Sequence, residues 1–414
     1  MFPDKTFFRM TTSPTLLNNA RLADGRLVRL TLRDGRIADI VSMDAAPPAP
    51  ADAGALDLEG ALVLPSLFDG HLHLDKTLMG LPWIPHGAGP ERTSRIANDK
   101  KILPFLPVPT RERAGLLIAR CIGHGTGYIR SHVDIDTDCR LDRLHGVLRA
   151  REDYAGRADI HLVAFPQSGV VSQPGTLDLM DAAMREGADL VGGMDPCVID
   201  RDPAGQLDGI FAIAERHGKG MDIHLHEPGE LGLFSLQEIC ARTQALGMQG
   251  KVTVSHGFCL GSVAESRALA AAELMARSGV MLATHGAAKW PLPPIALLRE
   301  QGVVVFAGND DVRDTWSPYG TGDVLARASL IGWRADFRTD EQVLHALDLV
   351  TGSAAKAFGV EADYGIRPGA RADFFTVAAE NPQEAVGSHP PRGWVFKGGR
   401  AVARDGVLLG GPRL

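Results

Sequence analysis

Near both ends of the chain, apolar and polar positions alternate with a period of two, broken by glycine-containing turns. The stretch NARLADGRLVRLTLRDGRIADIVSM (19–43) holds two Asp-Gly turns between alternating runs, which predicts β-hairpins. DAAPPAPADAGA (44–55), rich in Ala and Pro, reads as a loop. The same idiom returns in GIRPGARADFFTV (365–377) and WVFKGGRAVARDGVLL (394–409). Two β-rich ends bracketing a long middle predict a small β-sandwich domain built from both termini, residues 1–64 and 360–414, around a larger unit over 65–359.

The middle changes rhythm. Strand-like runs, ALVLPSLFDGHLH (61–73), GYIRSHVDI (127–135), IHLVAFPQSG (160–169), LVGGMDP (190–196), GMDIHLHE (220–227), KVTVSHG (251–257), VMLATHG (280–286) and VVVFAGNDD (303–311), alternate with helix-like ones. The latter include TRERAGLLIARCIGHG (110–125), TLDLMDAAMREGA (176–188), LDGIFAIAERHGKG (207–220) and LFSLQEICARTQALG (233–247). Eight strands alternating with helices predict a closed parallel (β/α)8 TIM barrel. An open doubly wound sheet would want a Gly-rich phosphate loop after its first strand, and the sequence has none there.

Nearly every predicted strand ends in a polar residue able to do chemistry: His71 and His73, His132 and Asp134, Gln167, Asp195, His224, His256, His285 and Asp310. Active sites of such barrels sit at the carboxyl ends of the strands, so these side chains converge from distant parts of the chain.

Composition narrows the options. The chain has 414 residues, 45% hydrophobic and 22% charged, which suits one large domain with a satellite. Its net charge of −7 is spread without a basic run, which excludes a nucleic-acid polymer as the expected partner and leaves a free nucleobase open as substrate. Five scattered cysteines without a CxxC pair predict reduced, intracellular thiols. MFPDKTFFRMTTSP (1–14) does not read as a signal peptide, and no segment reaches the roughly 18 apolar residues of a membrane span. The expectation is a soluble cytoplasmic protein with no membrane partner.

His71 and His73 lie two apart on an extended segment and therefore share a face, half of a first-row metal site. With His224 and Asp310 at later strand ends they form an N/O ligand set suited to one divalent ion, Zn2+ or Fe2+. Glu227, three residues beyond His224, is placed to take a proton from activated water and pass it to a leaving group; the alternative is a helix-capping carboxylate. His226 competes with His224 for the same face. His256 either ligates the metal or holds the attacking hydroxide, and Asp311 either orients substrate, shares the proton transfers, or is a solvated neighbour. A non-catalytic barrel would be expected to lack a ligand or the shuttle carboxylate, and this sequence retains both.

At these residues the sequence resembles the amidohydrolase superfamily, and more closely its cytosine deaminase-like branch. LPSLFDGHLHLDKT, RSHVDID, LVAFPQSG, MDIHLHE, VSH and AGNDDVRDTWSPYGTGD carry the resemblance, which spans nearly the whole chain. It implies metal ligation by His71, His73, His224 and Asp310, and proton transfer by Glu227. It also implies a hydroxide held by His256, and a second carboxylate at Asp311. Gln167 would contact an amide edge of the substrate and Trp316 would stand near the pocket rim. LVGGMDP lacks the bridging lysine of binuclear relatives, which implies a single ion. Asp195 and His285 depart from the branch's pattern and are candidate substrate-binding residues. The implied reaction is hydrolytic deamination of a small N-heterocycle by hydroxide attack on an amidine-like carbon. The alternatives are removal of alkylamines from triazine-like rings and opening of a cyclic amide. A homo-oligomer is implied by resemblance alone.

Overall fold

The computed structural model describes residues 15–46, 54–286 and 289–410. The N-terminal segment read as lacking a signal peptide, and most of the Ala/Pro-rich loop, lie outside these residues.

Eight parallel strands form the central sheet: β1 (Leu67–Leu72), β2 (Thr126–Asp134), β3 (Asp159–Phe165), β4 (Leu190–Met194), β5 (Gly220–Leu225), β6 (Val252–His256), β7 (Val280–Thr284) and β8 (Val305–Ala307). Each pairs with the next in sequence order. Helices such as Thr110–Gly123, Thr176–Arg185, Pro203–His217 and Gly229–Ala245 fill the crossovers, close to the periodic stretches that predicted them. Every residue of β1 and β2 is buried, as expected of strands covered on both faces.

Closure of the barrel occurs beside the histidines of β1. The Asp310 amide donates to the His71 carbonyl at 2.7 Å, and Leu72 and Asp310 form a parallel bridge. Gly308 is required at this seam, because a Cβ there would lie 2.2 Å from the His71 nitrogen. Asn309 adds a further tie, donating its amide and its side-chain nitrogen to the buried Asp69 at 2.8 and 2.6 Å.

Among the described residues the second sheet has nine strands of mixed direction drawn from both ends of the chain. Phe374–Val377 pairs antiparallel with Leu62–Pro65, which in turn touches Leu16–Arg21. Its core holds Leu17, Leu30, Ile37, Phe374 and Phe396. The Asp34-Gly35 turn read from sequence joins Arg33 to Arg36, both turn residues having positive φ (52° and 75°), the geometry of a tight hairpin.

Between β1 and the first outer helix, the chain crosses the barrel mouth and forms the helix Arg92–Ile102. Asp99 on that helix accepts from Trp316 Nε1 at 2.8 Å, from Gln167 Nε2 at 3.2 Å and from the Thr315 hydroxyl. Lys76, 2% exposed, lies 3.0 Å from Asp134 and 3.8 Å from Asp99, and also donates to Gln167 Oε1. Burial alone would push the Lys76 amine toward neutrality, but Asp134, Asp99 and Asp75 outweigh it and hold it above the ordinary lysine range.

Two outcomes follow for the seam and the mouth. Gly308→Ala should cost about 3 kcal/mol or more through backbone overlap; a denaturation midpoint unchanged from wild type would contradict the seam. Lys76→Met leaves buried carboxylates without their cation and should cost about 3 kcal/mol. Denaturant unfolding followed by tryptophan fluorescence reads it, and a loss under about 1 kcal/mol would remove the network from the account of stability.

Candidate active site

The carboxyl ends of the strands deliver five buried histidines to one place. His71, His73, His132, His224 and His256 are each 4% exposed or less. Their rings crowd together: His71 lies 4.2 Å from His132, 4.7 Å from His224 and 4.9 Å from His256, centroid to centroid. Phe165 closes one side, stacked on His224 at 4.1 Å.

His71 is oriented from beneath. Arg130 donates to Asp222 at 3.0 Å, and Ser255 Oγ donates to the other oxygen of Asp222 at 2.6 Å. The hydroxyl therefore accepts from His71 Nδ1 at 2.9 Å. A proton on Nδ1 leaves the lone pair on Nε2, which has no hydrogen-bond partner and lies 3.4 Å from Asp310 Oδ1. His73 Nε2 meets the same oxygen at 3.3 Å. His285 Nδ1 lies 3.3 Å from the second oxygen, Asp310 Oδ2.

Burial opposes ionisation of Asp310, but His285, His71 and His73 outweigh it and hold the carboxyl well below its usual range. The imidazoles shift so as to stay neutral: burial takes His73 down to about 4 and His285 to about 3, and pushes His132, His224 and His256 well below the ordinary value.

His71 Nε2, His73 Nδ1, His224 Nδ1, His256 Nε2 and both nitrogens of His132 are buried without a hydrogen-bond partner. Orphaned imidazole nitrogens around an anionic carboxylate are an unfavourable arrangement unless a cation satisfies them. Three overlapping sets have ligand atoms within 4.8 Å of one another: His71, His132 and His224; His71, His256 and Asp310; His73, Asp310 and Asp311. The expected ligands His71, His73, His224 and Asp310 thus fall into one cluster, and the donor set fits a divalent ion. His132, noted in the sequence only as a strand-end histidine, belongs to the same cluster.

Two openings adjoin this cluster. A cavity of about 20 Å3 reaches His73, His224, His226, His256, Gln167 and Lys76, room for a single ion or water. Above it opens a vestibule of about 850 Å3, with Asp310, Asp311, His285 and His226 on its floor. Trp316 lines both, as expected of a rim residue. Gln167 is at the inner cavity, its amide engaged by Lys76, Asp99 and Asp134. Lys76 and Asp99 went unmarked in the sequence; the one visible signal was a charged residue inside the buried run HLHLDKT. Burial and the neighbouring Asp314 and Asp310 push the Asp311 carboxyl well above its usual range, toward the protonated form.

Two placements differ from expectation. Glu227 does not lean over the cluster. Its carboxylate accepts from the Cys197 and Val198 amides at 2.8 and 2.9 Å and from Ser235 Oγ at 2.5 Å, and it lines neither opening. Asp195 is fully buried and also lines neither opening. It accepts from the His226 amide at 2.6 Å and from His226 Nδ1 at 3.0 Å, with Arg92 Nε also 3.0 Å away. The physical reason is local geometry. Asp195 has a left-handed φ of 38°, which turns its side chain back across the β4–β5 gap onto His226. His226, subordinate to His224 in the sequence reading, lines both openings and stacks on His256 at 4.2 Å.

Comparison with known proteins agrees with this geometry. Residues 54–392 match the Amidohydrolase family. A crystal structure of N-isopropylammelide isopropylaminohydrolase from Burkholderia multivorans ATCC 17616 is 44% identical, with a TM-score of 0.90 over 95% of this chain and 99% of that one. The 5-methylcytosine deaminase of Klebsiella pneumoniae, liganded with 5-fluorocytosine, is 28% identical with a TM-score of 0.82 over 94% and 97%. N-isopropylammelide isopropyl amidohydrolase of Pseudomonas sp. (strain ADP) is 29% identical over 86% of this chain and 89% of its own. With this match over most of its length and the His/Asp cluster at the mouth of an eight-stranded barrel, the chain belongs to the amidohydrolase family and is a hydrolase of C–N bonds in cyclic compounds.

Proposed function

We propose that this protein hydrolyses an exocyclic C–N bond on a small, oxygenated N-heterocycle, releasing an N-substituted amine, with one divalent ion, Zn2+ or Fe2+, at the histidine cluster. The observation that carries this reading is the vestibule of about 850 Å3 opening directly onto Asp310, Asp311, His226 and His285. A ring seated over the cluster leaves most of that space for a substituent on the departing nitrogen. Likeness to an isopropylaminohydrolase over 95% of the chain supports the same choice. Release of ammonia from a free nucleobase is the second reading, supported by likeness to a 5-methylcytosine deaminase.

His71, His73, His224 and Asp310 would hold the ion. Bound there, it supplies Lewis acidity that brings the pKa of water toward about 7. The chain's own residues then position groups and move protons. Gln167 and Lys76, locked by Asp99 and Asp134, hold fixed polar groups in the inner cavity beneath the ring. The water oxygen adds to the ring carbon that bears the amine. The C–N bond breaks, the ring keeps the oxygen as a carbonyl or its hydroxyl tautomer, and the amine leaves with the transferred proton. His226 is the group built for that transfer. Asp195 can only accept, so the proton of His226 sits on Nδ1 and the lone pair on Nε2. Although burial opposes it, His226 and Arg92 hold the Asp195 carboxyl below its usual range, an anion able to stabilise the imidazolium while the proton is in transit. His256 and His285, joined Nδ1 to Nδ1 at 3.0 Å with His285 against Asp310, provide a second route for protons at the cluster.

Glu227 acts here as a positioning residue, since its oxygens already accept two backbone amides and a hydroxyl. His226→Gln should lower kcat by about 100-fold or more with metal content unchanged. Glu227→Gln keeps an oxygen for the Cys197 and Val198 amides and should stay within about tenfold of wild type on the scale of lost general acid–base catalysis. Abolished turnover in Glu227→Gln, with its metal intact, would return the shuttle role to Glu227 and remove it from His226.

Because burial takes His73 down to about 4 and pushes His224 well below the ordinary histidine value, protons compete weakly at these two ligands. Metal content after dialysis should be flat from pH 8 to about 5 and fall as the pH drops through about 4, below the ordinary histidine value of about 6.5. Loss already near pH 6.5 would mean that the ion sits elsewhere.

For the substrate, turnover of N-alkylamino and amino forms of dihydroxytriazine and oxopyrimidine rings should be followed by amine and ammonia detection together. Alkylamine release supports the first reading, and ammonia release alone transfers the assignment to the second.

A further inference from the structure

The vestibule has a charge pattern that a plain alkyl substituent would leave unused. Five cationic side chains line it; Arg92 lies against Asp195 and Arg327 donates to the His285 carbonyl, which leaves Arg95, Arg201 and Lys289. Among the described residues none of the three has a carboxylate or hydrogen-bond partner for its charged head: Arg95 lies over Trp316 at 5.7 Å, Lys289 lies over Trp290 at 5.1 Å, and Arg201 is exposed. This is unusual in a chain of net charge −7, where most arginines near the site are paired. The carboxylates of the vestibule are otherwise engaged or remote. Asp310 and Asp311 belong to the floor, Asp323 caps the helix Val324–Arg334 and pairs with Arg392 at 2.6 Å, and Glu91 is exposed at the outer edge.

Arg201 is set in place with particular care. It follows the turn Pro196–Asp200 and has a left-handed φ of 55°; Asp195, at the other end of that turn, has 38°. Strained backbone persists where the surroundings over-determine it. Glu227 accepts the Cys197 and Val198 amides from one side. From the other, Asp200 accepts the Val170 and Ser172 amides at 3.0 and 2.9 Å and Gln206 Nε2 at 2.8 Å. The anchored turn presents Val198, Ile199 and Arg201 to the cavity. Facing residues include Phe258 and Trp290, stacked at 5.6 Å. The same cavity thus carries apolar side chains together with cations that no carboxylate pairs.

We infer that the substrate's departing amine carries a short apolar linker ending in a carboxylate, an amino-acid-like N-substituent recognised by Arg201 with Arg95 and Lys289. The inference rests on the proposed C–N hydrolysis and specifies which N-substituted amines it favours. Glu227 thereby gains a purpose outside proton transfer, since it fixes the turn that delivers Arg201.

Two probes test it on the metal-loaded protein: dihydroxytriazine bearing a 2-carboxyethylamino group, and the neutral propylamino counterpart. Turnover is followed by amine release and binding by thermal shift. The carboxylate probe should be preferred at least tenfold in kcat/KM, carried mainly by KM. Arg201→Met should reduce that preference at least fivefold while leaving turnover of the propyl probe within twofold, and Arg201→Lys should restore most of it. Equal kcat/KM for the two probes, or a preference untouched by Arg201→Met, overturns the anion site and leaves the hydrolytic reading standing. Tighter binding of the carboxylate probe without turnover of either one supports the anion site and overturns the hydrolytic reading.

Discussion

The hydrogen bond from the Asp310 amide to the His71 carbonyl joins the last barrel strand to the first, and the site depends on that closure. The backbone of one residue completes the ladder, and its side chain, turned inward by a left-handed φ of 61°, draws in His71, His73 and His285. Gly308 permits the approach and Asn309 locks it to Asp69. Closing the barrel and assembling the site are therefore one event. Residues more than 200 positions apart reach hydrogen-bonding distance only because the sheet has curled on itself.

Around that seam the polar groups divide into two kinds. One kind is tied into hydrogen-bonded networks: Asp222 and Ser255 under His71, held from Arg130 Nη1, or Lys76, Asp99 and Gln167 across the mouth, held against Asp134. Such networks stiffen a site, because breaking any link leaves a buried polar group at a cost of about 1–3 kcal/mol. The other kind, the imidazole nitrogens of the cluster, is left open. Rigid surroundings around unsatisfied donors are what a metal centre requires, since the ligands are held in place before the ion arrives.

Much of this was legible in the residues. Alternating patterns predicted the paired ends, the strand–helix rhythm predicted the barrel, and polar strand ends marked its active face. His71, His73, His224, His256 and Asp310 came from that regularity, and the structure gathers them. His132 was visible too, but a lone strand-end histidine carries no signal to separate a cluster member from a satisfied core residue. Lys76 and Asp99 were hidden because a buried charge is stabilised by partners far along the chain, here Asp134 and Trp316.

Glu227, Asp195 and His226 show where linear reasoning stops. Spacing placed Glu227 one step past a ligand, and that much is a property of the sequence. Which way its carboxylate faces depends on the Cys197 and Val198 amides and on Ser235, set by a turn after a different strand and by the following helix. Strand periodicity and residue type, both local, determined the barrel, its active face and the metal-binding character of the cluster. Only the tertiary structure decided the division of labour among neighbours, because hydrogen-bond partners compete across strands and the winner depends on distances that no spacing along the chain contains.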